Sequence, residues 1–189
     1  MMNNIPTTPK PANPVLFDRV ISEVQDILES ELSWLDYAFG RAQDLIRTEG
    51  DRDLRYPAAY IRRDEYQSLE PNQNLGNFSF FLLNDPDTVD FQQNQYNRLT
   101  SGYSLIFWLN IESLGASDRN TENVKADILR VLTRVLRLTS GSITVDSISE
   151  KAENIYRGYS LREIDSQYLM HPYVGFRFEG TMYVKEICN

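Results

Sequence analysis

A chain of 189 residues with 41% hydrophobic and 12% aromatic content suffices for one domain that buries roughly two-thirds to three-quarters of its unfolded surface. Lys and Arg number 19 against 27 Asp and Glu, and the resulting net charge of −8 repels phosphate and argues against a sequence-specific nucleic-acid reader. The single cysteine, Cys188, excludes an internal disulfide, and neither the polar start MMNNIPTTPKPANP nor the short apolar run LIFWL (105–109) suits a secretion signal or a membrane span, so a soluble chain in a reducing interior is expected.

Residues 1–13 are polar and carry Pro6, Pro9 and Pro11, which predicts an extended arm ahead of one domain over 14–189. Asn13-Pro14 predicts a helix start: Asn13 can cap, and Pro14 at the first helical position loses nothing by lacking an N–H. Phe17, Ile21, Val24, Leu28, Leu32, Leu35 and Phe39 then recur three or four residues apart, with Asp18, Ser22, Gln25 and Glu29 opposite them. This is the pattern of an amphipathic helix, with Gly40 as its end. Residues 41–47 read equally as a strand or as more helix. After the turn-rich TEGDRD (48–53), YPAAYIR (56–62) predicts a strand in which Pro57 belongs at the beginning or on a sheet edge. Residues 64–69 predict a weaker strand and NFSFFLL (77–83) a strong one. The polar stretch NDPDTVDFQQNQYNRLTSG (84–102) predicts a long loop, a kind usually kept for function.

YSLIFWLNI (103–111) follows. Tyr103, Leu105, Phe107, Leu109 and Ile111 form one apolar set, while Ser104, Ile106, Trp108 and Asn110 form a second set that is half apolar. A strand with one wet face alternates strictly, so both faces of this one are expected to be covered. A second helix is predicted from Asn120-Thr121-Glu122, with Val124, Ile128, Val131, Val135 and Leu138 as its apolar stripe and Arg130, Arg134 and Arg137 toward its C-terminal end. SITVDSIS (142–149) predicts a half-buried strand, and Ser160 with Glu163 has the spacing of a capping box for a short helix. In PYVGFRFEGTMYVKEI (172–187), Val174, Phe176, Phe178, Met182 and Val184 share one face of a long last strand, with Arg177, Glu179, Thr181 and Lys185 on the other.

Two long amphipathic helices need a sheet to bury against. The expected fold is therefore α+β, a two-layer domain with a mixed or antiparallel sheet, both helices on one face, a long loop and an extended N-terminal arm. Helices on one face leave the other open, and a second copy of the chain is the expected cover for Ile106 and Trp108, tryptophan being a common interface anchor.

No constellation for catalysis stands out. His171, the only histidine, precedes Pro172 and reads as a turn residue, while Cys188 sits beside the C-terminus. Structural zinc draws on several Cys and His ligands, which this chain does not offer. Asp85, Asp87 and Asp90 form the densest carboxylate group. Counted as a calcium loop from Asp85, however, Asp90 stands where glycine is required and Tyr96 where glutamate is required. The cluster therefore reads as a solvated acidic loop. Asp146 lacks the Glu-x-Lys partner of a metal nuclease, and neither a phosphate-binding Gly-rich loop nor a G-x-S-x-G turn occurs. No enzyme activity, metal or cofactor is expected. The arginines at 130, 134 and 137 read as dipole complements and as salt-bridge partners for a neighbouring chain.

The order of these elements, with the phrases ELSWLDYAFGRAQ, LGNFSFFLLNDP, LIFWLNI and YLMHPYVGFRFEG, resembles the tail-terminator and head–tail connector proteins of tailed bacteriophages over about residues 14–187. Within that group it is similar to proteins of phages of Bacteroides-type bacteria, including the crAss-like ones. The resemblance implies a structural virion protein: a homo-oligomeric six- or twelve-fold ring, in contact with portal, neck or tail proteins, around a lumen through which DNA passes without being read. It implies a place in the virion neck or tail, reached from the host cytoplasm during assembly. Ile106, Trp108, Arg130, Arg134 and Arg137 then become candidate subunit contacts, and Asp85, Asp87 and Asp90 candidates for the lumen or an adjoining ring. A cytoplasmic ligand- or protein-binding module without catalysis is the alternative.

Overall fold

The computed structural model describes residues 10–62, 65–72, 74–90, 98–115, 120–134, 138–161, 164 and 166–185. Among them run α1 (Leu16–Glu31), β1 (Tyr37–Glu49), β2 (Arg52–Arg62), β3 (Glu65–Ser68), β4 (Phe78–Asp90), β5 (Arg98–Asn110), α2 (Thr121–Arg134), β6 (Gly141–Ile143), β7 (Ser147–Ser149), α3 (Ala152–Ile155) and β8 (Tyr173–Lys185). The eight strands form one sheet in the order β3-β2-β1-β4-β5-β8-β6, with β7 beside β6 along the same edge of β8. Only β1 and β4 pair in parallel; every other pair is antiparallel. The domain is α+β with a mixed sheet, as the pattern of elements predicts.

The helices bury their stripes on one face. Phe17, Val20, Ile21, Val24 and Leu28 of α1 and Val124, Ile128, Val131 and Leu132 of α2 join Leu105, Phe107 and Leu109 of β5 and Phe176, Phe178 and Met182 of β8 in one core. Burial of each such side chain contributes about 1.5–3 kcal/mol.

The first helix departs from its sequence reading at both ends. Val15, not Asn13, precedes its first turn, and no side chain caps it. Its apolar repeat continues to Phe39, yet the helix stops at Glu31 and Tyr37–Glu49 is a strand. Asn77 supplies the reason. Its backbone carbonyl accepts from Asp36 N (2.8 Å) and Tyr37 N (3.2 Å), and its own N–H donates to Asp36 Oδ2 (2.8 Å). Its side-chain amide donates to Trp34 O (3.0 Å), while its Oδ1 accepts from Asn110 N (2.8 Å). One buried asparagine thus ties the start of β1, the start of β4 and the end of β5, and these bonds outweigh a local helical pattern.

Pro57 stands inside β2, opposite Asp44 of β1, rather than at a strand end. Its carbonyl accepts from Leu69 N (2.8 Å), so its missing N–H points to the same side, where β3 has already ended at Ser68. The proline occupies a local edge. The predicted loop at 84–102 is also revised: its described parts belong to β4 and β5, which pair as far as Asp90↔Arg98. SITVDSIS divides into β6 and β7, both on β8, and the connecting residues still bond to it through Thr144 N→Thr181 O and Asp146 N→Glu179 O, each 2.8 Å. A one-turn helix, α3, comes before Ser160, and after Ser160 a tight 3-10 turn begins at Leu161, whose carbonyl accepts from Ile164 N (3.2 Å); Glu163 lies outside the described residues.

Candidate functional site

Ile106 and Trp108 are 0% and 3% exposed in the single chain, so the expectation that they await a second copy is overturned. Their cover is a short strap, residues 150–161, laid across the second face of the sheet. Ile155 and Tyr156 are buried in it against Phe39, Phe78, Phe80, Ile106 and Trp108. The Tyr156 ring lies 5.5 Å from that of Trp108 at 70°, and 6.2 Å from that of Phe80. Its hydroxyl donates to Leu69 O (3.1 Å). Gly175, opposite Trp108 in the β5–β8 register, makes room for the indole: a Cβ there would stand 2.4 Å from the ring.

Arg177 fastens the strap. It lies on the β8 face opposite Val174, Phe176 and Phe178, and only 4% of its side chain is exposed. Its Nη1 donates to Ile155 O (3.1 Å), Nη2 to Ser104 Oγ (2.9 Å) and Nε to Glu179 Oε1 (3.2 Å). The same carboxylate accepts from Arg157 Nη2 (2.8 Å). Burial pulls the Arg177 guanidinium below its ordinary value, and the Glu179 charge opposes that shift. Farther along, the Tyr159 hydroxyl bonds to Asp44 of β1, and Ser160 N donates to Arg55 O of β2 (3.2 Å). Burial, then the Asp44 bond, raises Tyr159 well above the ordinary tyrosine range. The strap therefore runs from β8 to the β1–β2 hairpin and joins two parts of the sheet.

Those parts form a fork. β1 and β4 pair only from Tyr37↔Phe78 to Arg41↔Phe81. Beyond that, β1 continues with β2 to the turn after Glu49, while β4 continues with β5 to Asp90, both in the same direction. The edges of β1 and β4 that face each other are unpaired past Arg41 and Phe81, so the β1–β2 hairpin diverges from the branch in which β5 stays paired with both β4 and β8 as far as Arg98↔Lys185. On β4, Asn84↔Gly102 and Thr88↔Thr100 leave Asp85, Pro86 and Asp87 opposite Ser101 alone, a bulge of three residues against one. The Asp85–Pro86 bond is cis. Asp85 and Asp87 are exposed on this bulge. Asp90 closes the described part of β4. The three aspartates are strung along one strand rather than gathered, and no group of three or more His, Cys, Asp or Glu among the described residues could hold a metal ion.

Two of the three arginines find partners within the chain. Arg134 Nη1 meets Glu31 Oε2 of α1 (2.8 Å), and Arg130 Nη2 meets Asp127 Oδ1 (2.7 Å). Arg137 and Cys188 lie outside the described residues. His171 is exposed in a turn before the start of β8, and its bond to Pro172 is cis. An open cleft of about 710 Å³ lies between the β1–β2 turn and the strap, lined by Arg52, Leu54, Tyr156, Arg157, Tyr159 and Leu161 among others. No helix among the described residues is long and apolar enough to cross a membrane.

The residues that organise this region, Asn77, Tyr156 and Arg177, have no periodic or motif signature. The one legible hint is the glycine opposite a tryptophan on neighbouring strands, and it needs the register to be seen. A scan of family models finds no match to this chain, and a search of curated proteins finds none either.

Proposed function

We propose that this chain is a structural subunit of a tailed-phage virion, forming a homo-oligomeric ring at the head–tail junction or tail end around the DNA channel. The forked end of the sheet carries this reading. A ring subunit needs surfaces that reach its neighbours, and the β1–β2 hairpin and the unpaired outer edge of β4 are such surfaces. The outer part of β4, Asp85–Val89, is exposed, and its edge toward β1 is open to another strand. A head-to-tail contact between this edge and a different surface of the next subunit closes a ring when the rotation closes. With Ile106 and Trp108 occupied internally, that contact is built on the free backbone groups of the β4 edge rather than on the aromatic face. The net charge of −8, repeated around a ring, gives a wall past which DNA slides.

The open cleft beside Arg52, Arg157 and Tyr159 favours the second reading, a non-catalytic ligand- or protein-binding module. Light scattering and negative-stain imaging of the purified protein, alone and with portal and tail proteins of the same genome, separate the two. Closed rings of fixed stoichiometry are expected. A chain that stays monomeric and ignores those partners overturns the ring.

A further inference from the structure

Exposed charges on the helix layer find partners within the chain, as Arg134 does with Glu31 and Lys125 with Glu122 and Glu150. Among the charges that do not are two sets of opposite sign on different parts of the sheet. Arg52 and Arg55 of β2 are exposed and make no ion pair among the described residues. Asp85 and Asp87 of β4 are exposed and equally unpaired.

The basic set borders the open cleft of about 710 Å³ between the β1–β2 turn and the strap. Arg52 lines it. Burial and the Asp44 bond raise Tyr159 in its wall, and the charge of Arg55 acts on that hydroxyl in the opposite sense, which sets Arg55 beside the same wall. Arg157 adds a third guanidinium, shared with Glu179. The lining carboxylates are Glu153 and Asp53, and Asp53 already accepts from Thr48 Oγ1 (2.8 Å). The cleft thus offers two unshared guanidiniums, and the planar fork of arginine matches a carboxylate with two parallel bonds.

The acidic set is displayed on a bend. Three residues of β4 stand against Ser101 alone, so the strand bows out of its pairing where Asp85 and Asp87 lie. No residue of β4 lines the cleft of its own chain. Two copies of this edge laid against each other would oppose like charges, which disfavours a symmetric β4–β4 contact. Between two copies, the pairing that matches charge is acidic edge to basic cleft.

We propose that the β4 edge of one subunit seats in the cleft of the next copy, with Asp85 and Asp87 against Arg52 and Arg55. This inference rests on the ring reading and names the second half of its contact. Edge and cleft belong to different elements, so every copy offers one of each and the contact repeats head to tail.

Charge reversal tests it, read by analytical ultracentrifugation and negative-stain imaging of the purified full chain. Asp85→Lys/Asp87→Lys and Arg52→Glu/Arg55→Glu should each weaken self-association by about a hundredfold. Asp85→Asn/Asp87→Asn should weaken it less, and all four reversals in one chain should restore closed rings. Circular dichroism and the thermal midpoint should match the parent in every variant, since these side chains are exposed; if a reversal does lower the midpoint, the Asn variant reads the contact in its place. Rings indifferent to the reversals, or losses that the combined variant does not rescue, overturn this contact and leave the ring reading standing. A parent chain that stays monomeric overturns both. Reversals that spare self-association but abolish binding to portal or tail proteins give the cleft to another protein and also overturn the proposal.

Discussion

The two faces of the sheet are buried by different means. On one, helices lay down aliphatic stripes, and almost every contact there is between Val, Ile, Leu and Phe side chains. On the other, an irregular strap of a dozen residues presses Ile155 and Tyr156 onto Phe78, Phe80 and Trp108, and Arg177, Glu179 and Tyr159 hold it by directed bonds. A helix satisfies its own backbone and can be placed by hydrophobic area alone. A strap cannot, because each turn exposes carbonyls and amides that need partners. The aromatic face is therefore a polar construction as much as an apolar one, and it should respond to different perturbations.

The largest difference should come from Trp108→Ala, expected to cost about 3–5 kcal/mol in urea denaturation while leaving the association state of the folded protein unchanged. A change in subunit association at constant fold stability would restore Trp108 to an intermolecular role. Alkali comes next. Burial raises Tyr103 and Tyr156 above the ordinary tyrosine value, so above pH about 10 the unfolded chain releases protons that the folded chain retains. Stability is then lost as pH rises, by about 1.4 kcal/mol per pH unit for each tyrosine, and Tyr156→Phe should remove that residue's share of the slope. Stability that is flat between pH about 10 and 11 would contradict the burial of both rings. Arg177→Ala strips the strap of its tether to Ile155 O and Ser104, at an expected cost of about 2–3 kcal/mol, and hydrogen exchange should quicken in residues 152–160 before it does in α1. The smallest effect belongs to the helix face: Arg134→Ala breaks an exposed pair with Glu31 and should change stability by less than about 0.5 kcal/mol.

The helix layer was legible from residue spacing because amphipathic periodicity is a local property. Leu105, Phe107 and Leu109 on β5, and Phe176, Phe178 and Met182 on β8, fall where their alternation places them. The mixed alternation of YSLIFWLNI correctly required cover on both faces. The identity of the second cover was not readable, since NIYRGYS carries neither helical nor strand periodicity. The candidate site followed the same division. Asp85 and Asp87 lie in the open as their polar surroundings predict, but on a bulged strand of a hairpin instead of a loop. Arg130 and Arg134 lie near the end of their helix, paired within the chain.

By itself the sequence determined the class of the fold, the stripes of both long helices and the demand of the central strands for two apolar neighbours, because each rests on side chains a few residues apart. Tertiary structure alone decided where the first helix yields to a strand, which side of β2 tolerates Pro57, how the sheet forks and what seals Trp108. Those outcomes depend on partners distant in the chain, Asn77 for Trp34–Tyr37, Leu69 for Pro57 and Tyr156 for Trp108, and bonds of that range leave no repeat in the residues that make them.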